Sequence, residues 1–181
     1  MYRWVELLAL DPDGKPAGSA ERLTSATGHV SGFSMQTQRS RLDLYAAEDD
    51  ERTDGAGGGI SHVALGLDGV TRVAPVVSSG TARGITPTVA WHPMGERNDE
   101  YEGYLSYLDI ADRVRLVPLD HTGDARSAAT LEPDLDEARL LAAEPGGKIL
   151  VASPRPDSGR GPFRWLSCAD VHEDAAPGPF P

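Results

Sequence analysis

Residues 60–77, ISHVALGLDGVTRVAPVV, decide the fold class of this chain. Apolar side chains alternate with others in the first half, so that Val63 and Leu65 share one face of a strand. The Asp-Gly pair at 68–69 then supplies a tight hairpin turn. Because Pro75 cannot donate a ladder hydrogen bond, the second strand must lie at a sheet edge or carry a bulge. The stretch therefore predicts an antiparallel β-hairpin.

Turn-forming residues recur along the whole chain, in which 20 glycines and 14 prolines separate short apolar runs. Turn residues at this spacing are typical of a compact all-β domain. We therefore predict one mostly antiparallel β-rich domain over residues 1–172, a sandwich or barrel of about eight to eleven strands, with a surface tail at 173–181. Besides the hairpin, strands are expected at 2–10, 21–30, 33–38, 41–46, 85–92, 104–110, 113–119, 148–153 and 163–171.

Two of the remaining segments give more specific expectations. Residues 41–46 alternate clearly, with the leucines on one face and Asp43 and Tyr45 on the other. Residues 2–10 are apolar on both faces, as in a strand buried on both sides. The stretch 133–143 (PDLDEARLLAA) predicts the one short helix, because proline opens it, acidic residues cluster early and Pro-Gly-Gly follows.

The composition narrows the range of partners. The net charge is −11, with 28 acidic against 17 basic residues, and such a surface repels nucleic-acid backbones and anionic membranes. No apolar run approaches the roughly 18 residues of a membrane span. We expect a cytoplasmic protein, and the excess of 15 arginines over two lysines suggests a bacterial genome rich in G and C.

The strongest candidate for chemistry is the loop that follows the strand at 113–119. Asp120, His121 and Asp124 lie together there, and loops held by strand ends often carry function. His121 could act as the acid–base, with Asp120 or Asp124 orienting its ring. His92, held extended by the following proline, could converge on the same end of the sheet. The alternative is an ordinary turn with an exposed histidine.

Two further sets of residues are candidates for ligand binding. Arginines in the Pro/Gly-rich segment 154–165 could clamp a carboxylate or phosphate, because guanidinium groups suit both. Tyrosines between residues 101 and 107 could form an exposed aromatic patch. The residues concerned are Arg155, Arg160, Arg164, Tyr101, Tyr104 and Tyr107.

No motif for phosphate loops, nucleophile elbows or zinc sites is present, and no cofactor is indicated. The leading interpretation is a non-enzymatic binding module that contacts a protein partner. The main alternative is a small β-barrel enzyme or carrier of a small-molecule ligand, with His92, Asp120 and His121 at the barrel mouth. A calcium-binding sandwich is a lesser alternative, since acidic pairs occur in several loops without a complete calcium-loop spacing.

Overall fold

The computed structural model confirms an all-β, antiparallel chain. It describes residues 3–38, 41–48, 58–66, 71–82, 87–91, 103–111, 114–125, 129–131, 139–144, 148–152, 163–166 and 171–173, and none of these is helical. The strands are β1 (Glu6–Leu7), β2 (Glu21–Arg22), β3 (Val30–Gln38), β4 (Arg41–Glu48), β5 (Gly58–Gly66), β6 (Thr71–Ala82), β7 (Thr88–Trp91), β8 (Gly103–Leu108), β9 (Val114–Leu119), β10 (Ala129–Leu131), β11 (Arg139–Glu144), β12 (Lys148–Ala152), β13 (Phe163–Leu166) and β14 (Val171–Glu173).

These strands form four sheets, in which every pairing between named strands is antiparallel. The two larger sheets have the strand orders β3-β4-β5-β6 and β14-β10-β9-β8-β7. The two smaller ones are β11-β12-β13 and β1-β2. Within the described residues no helix is long and apolar enough to cross a membrane. β14 includes Glu173, the first residue of the expected tail.

The hairpin predicted from residues 60–77 is confirmed as β5 and β6. Leu65 pairs with Thr71 across its closed end. Pro75 lies in β6, which is the end strand of its sheet, so the missing amide hydrogen is tolerated. A bulge also occurs there, because Ile60 pairs with Val77 and Ser61 with Pro75. Both ways of accommodating the proline are therefore used.

The core lies between the two larger sheets. Alternation along β4 and β5 directs Tyr45, Ala47 and Ile60 toward the five-stranded sheet, and Tyr45 lies on the face opposite Leu44, as the parity of residues 41–46 predicted. Fully buried leucines of β8 and β9 meet them from the other side. The buried members of this core are Tyr45, Ala47, Ile60, Val77, Ala82, Val89, Leu105, Tyr107, Val117 and Leu119.

The opposite face of the four-stranded sheet is covered by the N-terminal segment. Leu44 and Val63 pack there with Leu23, and Val5 and Leu7 cover them in part. The expectation of a strand at 2–10 buried on both faces was wrong. Only Glu6–Leu7 is named as a strand, and several apolar side chains of this segment remain exposed, because the two-residue partner β2 covers so little of it.

The helix expected over residues 133–143 is not observed. Residues 139–144 form β11, which pairs with β12 from Arg139↔Ala152 to Glu144↔Lys148. Residues 133–138 lie outside the described residues. Residues 145–147, the Pro-Gly-Gly stretch expected to end the helix, also lie outside the described residues. The helix start and stop signals of this segment were overridden by pairing with the next apolar run, because tertiary context outweighs intrinsic propensity.

Candidate functional site

The loop that the sequence singled out is a tight turn built around Asp120, and we call residues 120–124 the 120–124 turn. Asp120 Oδ1 accepts hydrogen bonds from Thr122 N (2.8 Å), Thr122 Oγ1 (2.6 Å) and Asp124 N (3.1 Å). The amide of Gly123 donates to the carbonyl of Asp120 (2.9 Å). Burial by itself would raise the pKa of Asp120, but these hydrogen bonds outweigh it and hold the pKa below its ordinary value. The carboxylate thus shapes the turn.

The predicted acid–base residues of this loop have separate surroundings. The His121 side chain is exposed, while its carbonyl accepts a hydrogen bond from Arg41 Nη2 (3.1 Å). Asp124 pairs instead with Arg72, whose Nη2 lies 2.5 Å from Asp124 Oδ2. His92 lies outside the described residues. A catalytic role for these side chains stays a prediction.

His62, which the sequence shows only as an isolated histidine in a strand, lies directly beneath the turn. Its side chain is fully buried, and its Nε2 lies 2.8 Å from Asp43 Oδ1. The ring stacks on Tyr45, with centroids 4.7 Å apart and planes inclined by 12°. Tyr45 and His62 are direct partners in the pairing of β4 with β5. The parity of residues 41–46 together with that register would have placed Asp43, Tyr45 and His62 on one face.

Charged groups of alternating sign extend from His62 in both directions. On one side Arg41 Nε lies 2.8 Å from Asp43 Oδ1. On the other side His62 Nδ1 lies 3.8 Å from Asp124 Oδ1, and Asp124 in turn pairs with Arg72. We call Arg41, Asp43, His62, Asp124 and Arg72 the buried charge chain, because three of its four contacts involve the fully buried side chains of Asp43 and His62.

The 120–124 turn packs closely against the buried charge chain. Gly123 has a φ of +85°, and a Cβ built on it would lie 2.5 Å from His62 Cε1 and 2.8 Å from Tyr45 Oη. The phenol of Tyr45 donates to the carbonyl of Gly123 (3.2 Å). Burial, with the nearby Asp43 carboxylate, raises the pKa of Tyr45 far above its ordinary value, so the phenol stays a neutral donor. Only glycine fits at position 123.

The buried charge chain is unsuited to act on a substrate. Asp43 and His62 have no exposed surface, so a substrate cannot reach either polar group in this arrangement. The described residues also hold no group of three or more His, Cys, Asp or Glu side chains that could bind a metal ion. The buried charge chain instead joins β4, β5 and β6 to the turn that follows β9.

A second feature, an open groove, lies between the N-terminal segment and β3. Arg3, Trp4 and Val5 form one wall and residues 30–33 the other, around a volume of about 530 Å³. We call this feature the N-terminal groove. Trp4 is 41% exposed and Phe33 is 47% exposed. Exposed aromatic side chains that line a concavity are typical of binding surfaces.

Neighbouring side chains hold the exposed indole of Trp4 in place. Its Nε1 donates to Glu6 Oε1 (2.7 Å), and the guanidinium of Arg22 lies 4.7 Å from its ring centroid. Arg22 and Glu6 are themselves 4.0 Å apart. A side chain fixed in this way loses little conformational entropy when a partner covers it.

β3 is the end strand of its sheet, and part of its outer edge borders the groove. Its start is bridged by Arg3, whose carbonyl accepts the amide hydrogen of Val30 (3.2 Å). Further along, the side chain of Gln36 donates to the carbonyl of Val89. Between them, no described strand is hydrogen-bonded to the outer edge of residues 32–35. Unpaired edges of this kind are templates for another chain.

The predicted aromatic patch is not exposed where the structure describes it. Tyr104 and Tyr107 are only 8% and 9% exposed, because β8 is the second strand from the edge of its sheet and its whole length is buried. Tyr101, Arg155 and Arg160 lie outside the described residues. Arg164 lies in β13, but the placement of its side chain is not described. Exposed aromatic residues occur instead at Trp4, Phe33, Phe163 and Trp165.

Comparison with known proteins adds no relative: no family model, no curated protein and no solved structure matches this chain.

Proposed function

We propose that the protein is a non-enzymatic interaction module that docks an extended segment of a partner protein in the N-terminal groove. The observation that carries the proposal is the pair of half-exposed aromatic side chains, Trp4 and Phe33, in one open groove of about 530 Å³. Trp4 is pre-positioned by Glu6 and Arg22. Aromatic side chains in preformed sites dominate the energy of many protein interfaces.

The edge of β3 that no described strand covers favours an extended segment as the occupant. A segment that adds to residues 32–35 gains main-chain hydrogen bonds, and its alternate side chains can enter the groove. Met35, 52% exposed, lies on the same face as Phe33 because the two residues are two positions apart. Among the described residues that line the groove, Arg3 is the one that is charged, and it is exposed, so an acidic side chain of the partner would complement it.

The arrangement of the two larger sheets supports a finer description of the fold. Side chains from both sheets join in one core, with Tyr45 and Ile60 on one side and Leu105 and Leu119 on the other. Two antiparallel sheets that share a core in this way are typical of a β-sandwich. We therefore propose a sandwich in preference to a closed barrel.

The test uses the full chain, immobilised and presented with a random library of 12-residue peptides. The selected peptides are expected to share alternating apolar residues with an acidic residue. Their dissociation constants are then measured by calorimetry against the wild type, Trp4→Ala and Phe33→Ala. Loss of an interface aromatic typically costs 2 kcal/mol or more, so each variant should weaken binding by about 30-fold.

Val73→Ala is the matched control, because Val73 is 61% exposed but lies in β6 at the other edge of the same sheet. It should bind the selected peptides as the wild type does. Selected peptides that bind the Trp4 and Phe33 variants unchanged would exclude the groove as the docking site. A library that yields no peptide tighter than about 1 mM would count against the interaction proposal as a whole.

A further inference from the structure

Residues 3–28, which we call the N-terminal cover, lie on the face of the four-stranded sheet that is turned away from the five-stranded sheet. The cover is hydrogen-bonded mainly to itself: the amide of Leu23 donates to the carbonyl of Val5 (2.9 Å), and Glu6 pairs with Arg22. Its strands β1 and β2 form a sheet of their own, and among the described residues neither is paired with β4, β5 or β6. The cover is therefore a separate unit laid on the sheet.

Few side chains hold the cover to the sheet. Leu23, 6% exposed, is the one residue of the cover whose side chain is buried. It packs with Leu44 and Val63, and Val5 and Leu7 are partly buried beside it. Leu44 and Val63 themselves have no exposed surface. An element with few buried apolar contacts opens at a lower free energy than the core that it covers.

The main chain of the cover is joined to the edge of the sheet at Arg3. The amide of Val30 donates to the carbonyl of Arg3 (3.2 Å), and Arg3 forms a parallel bridge with His29. The chain passes from the cover into β3 at the same place. Opening of the cover therefore breaks this contact and the apolar contacts of Leu23, while the pairing of β3, β4, β5 and β6 stays intact.

The cover also forms one wall of the N-terminal groove. Arg3, Trp4 and Val5 belong to the cover, whereas residues 30–33 of the other wall belong to β3. The groove therefore exists only while the cover is closed. A ligand that binds the closed state alone shifts the equilibrium toward that state, by a factor that its concentration and dissociation constant determine.

We propose that the N-terminal cover opens from the four-stranded sheet as a unit, and that a partner segment docked in the N-terminal groove holds it closed. The second half of this proposal rests on the proposed function, and the first half does not. Opening uncovers Leu44 and Val63, so the chain without its partner transiently displays an apolar sheet face that the occupied chain conceals. The coupling is reciprocal, so a change that loosens the cover weakens docking by the same factor.

The experiment measures how fast a thiol beneath the cover reacts with N-ethylmaleimide, at a reagent concentration low enough that closing outpaces labelling. Cys168, the single cysteine of the sequence, is replaced by serine, and Val63→Cys places a thiol under the cover. Val117→Cys is the matched control, because Val117 is 2% exposed and lies in the core between the two larger sheets.

The thiol of Val63→Cys should react at least about tenfold faster than that of Val117→Cys, because it requires only the cover to open. Its rate should depend weakly on urea, since opening exposes little surface, whereas the control requires global unfolding and should depend strongly on urea. Equal rates with equal urea dependence would show that the cover opens only when the whole domain unfolds, and would overturn the proposal.

Two substitutions within the cover test what holds it closed. Leu23→Ala removes the buried side chain and should speed the reaction of Val63→Cys by about tenfold or more, at the same weak urea dependence. Leu8→Ala is the matched control, because Leu8 is 43% exposed, and it should leave the rate unchanged. An unchanged rate in Leu23→Ala, with folding verified by circular dichroism, would contradict the assigned contact.

The coupling is tested with the 12-residue peptides selected for the groove. At a peptide concentration about 100 times the dissociation constant, the reaction of Val63→Cys should slow by about 100-fold, and adding Trp4→Ala should remove most of this effect. A peptide that binds without slowing the reaction would overturn the coupling. If no peptide is selected, the proposed function fails, whereas the rates measured without peptide still decide whether the cover opens.

Discussion

Substitution of Gly123 by alanine tests the close approach of the 120–124 turn to the sheet. The backbone at Gly123 has a φ of +85°, a conformation that costs a residue with a Cβ about 1–2 kcal/mol. The new Cβ would also lie 2.5 Å from His62 Cε1 and 2.8 Å from Tyr45 Oη, both on fully buried side chains. Forcing such side chains apart costs about 1–3 kcal/mol more. We expect Gly123→Ala to lower the free energy of unfolding by about 2–5 kcal/mol in total.

Gly14 provides a control that isolates the steric part of this loss. It has a φ of +79°, but nothing lies within 4 Å of a Cβ built on it. Gly14→Ala therefore carries the backbone cost of about 1–2 kcal/mol without the clash. Both substitutions change the entropy of the unfolded chain alike, so that contribution cancels in the comparison.

The assay is equilibrium unfolding in urea at pH 7 for the wild type and both variants. The free energy lost by Gly123→Ala should exceed that lost by Gly14→Ala by about 1–3 kcal/mol, at unchanged dependence on denaturant. The ring signals of His62 should shift in the Gly123 variant and stay in place in the Gly14 variant. Equal losses in the two variants would show that the turn does not rest on His62 and Tyr45.

Two further substitutions probe the same contact from its polar side. Tyr45→Phe removes the donor to the carbonyl of Gly123 but keeps the aromatic ring. Urea unfolding should therefore show a free energy of unfolding lower by about 1–2 kcal/mol. An unchanged free energy of unfolding would contradict a buried hydrogen bond. Asp120 has a pKa below its ordinary value, so its contribution to stability is present above the unfolded-state pKa and is lost as the pH falls through the folded-state pKa. Between pH 5 and pH 2, Asp120→Asn should therefore show a smaller loss of stability than the wild type, as followed by circular dichroism, and an identical acid profile would refute this role.

Local sequence patterns were sufficient for the parts of the fold that depend on neighbouring residues. The alternation at 60–67, the Asp-Gly pair and Pro75 correctly predicted the β5–β6 hairpin and that β6 would lie at a sheet edge or carry a bulge. The helix expected at 133–143 failed over residues 139–143 because Ala142 pairs with Leu150, a partner supplied by the next strand. Start and stop signals around a short apolar run do not distinguish a helix from a strand without knowledge of that partner.

The buried charge chain could be predicted from the sequence only in part, for the same reason. Asp43 and His62 belong to adjacent antiparallel strands, so their meeting is implied by the parity of residues 41–46 and the register of β4 with β5. Asp124 is 62 positions beyond His62, and no periodicity in the sequence relates the two. Their approach depends on the path of the chain through β6–β9 and on a turn at Gly123 that only a residue without a Cβ can make. The sequence singled out the 120–124 turn because of His121, which is exposed. In the structure, Asp124 is instead the residue of this turn whose carboxylate approaches the buried His62. A loop that is rich in titratable residues can thus be significant for the strand it covers, because Gly123 and Asp124 both approach the buried ring of His62.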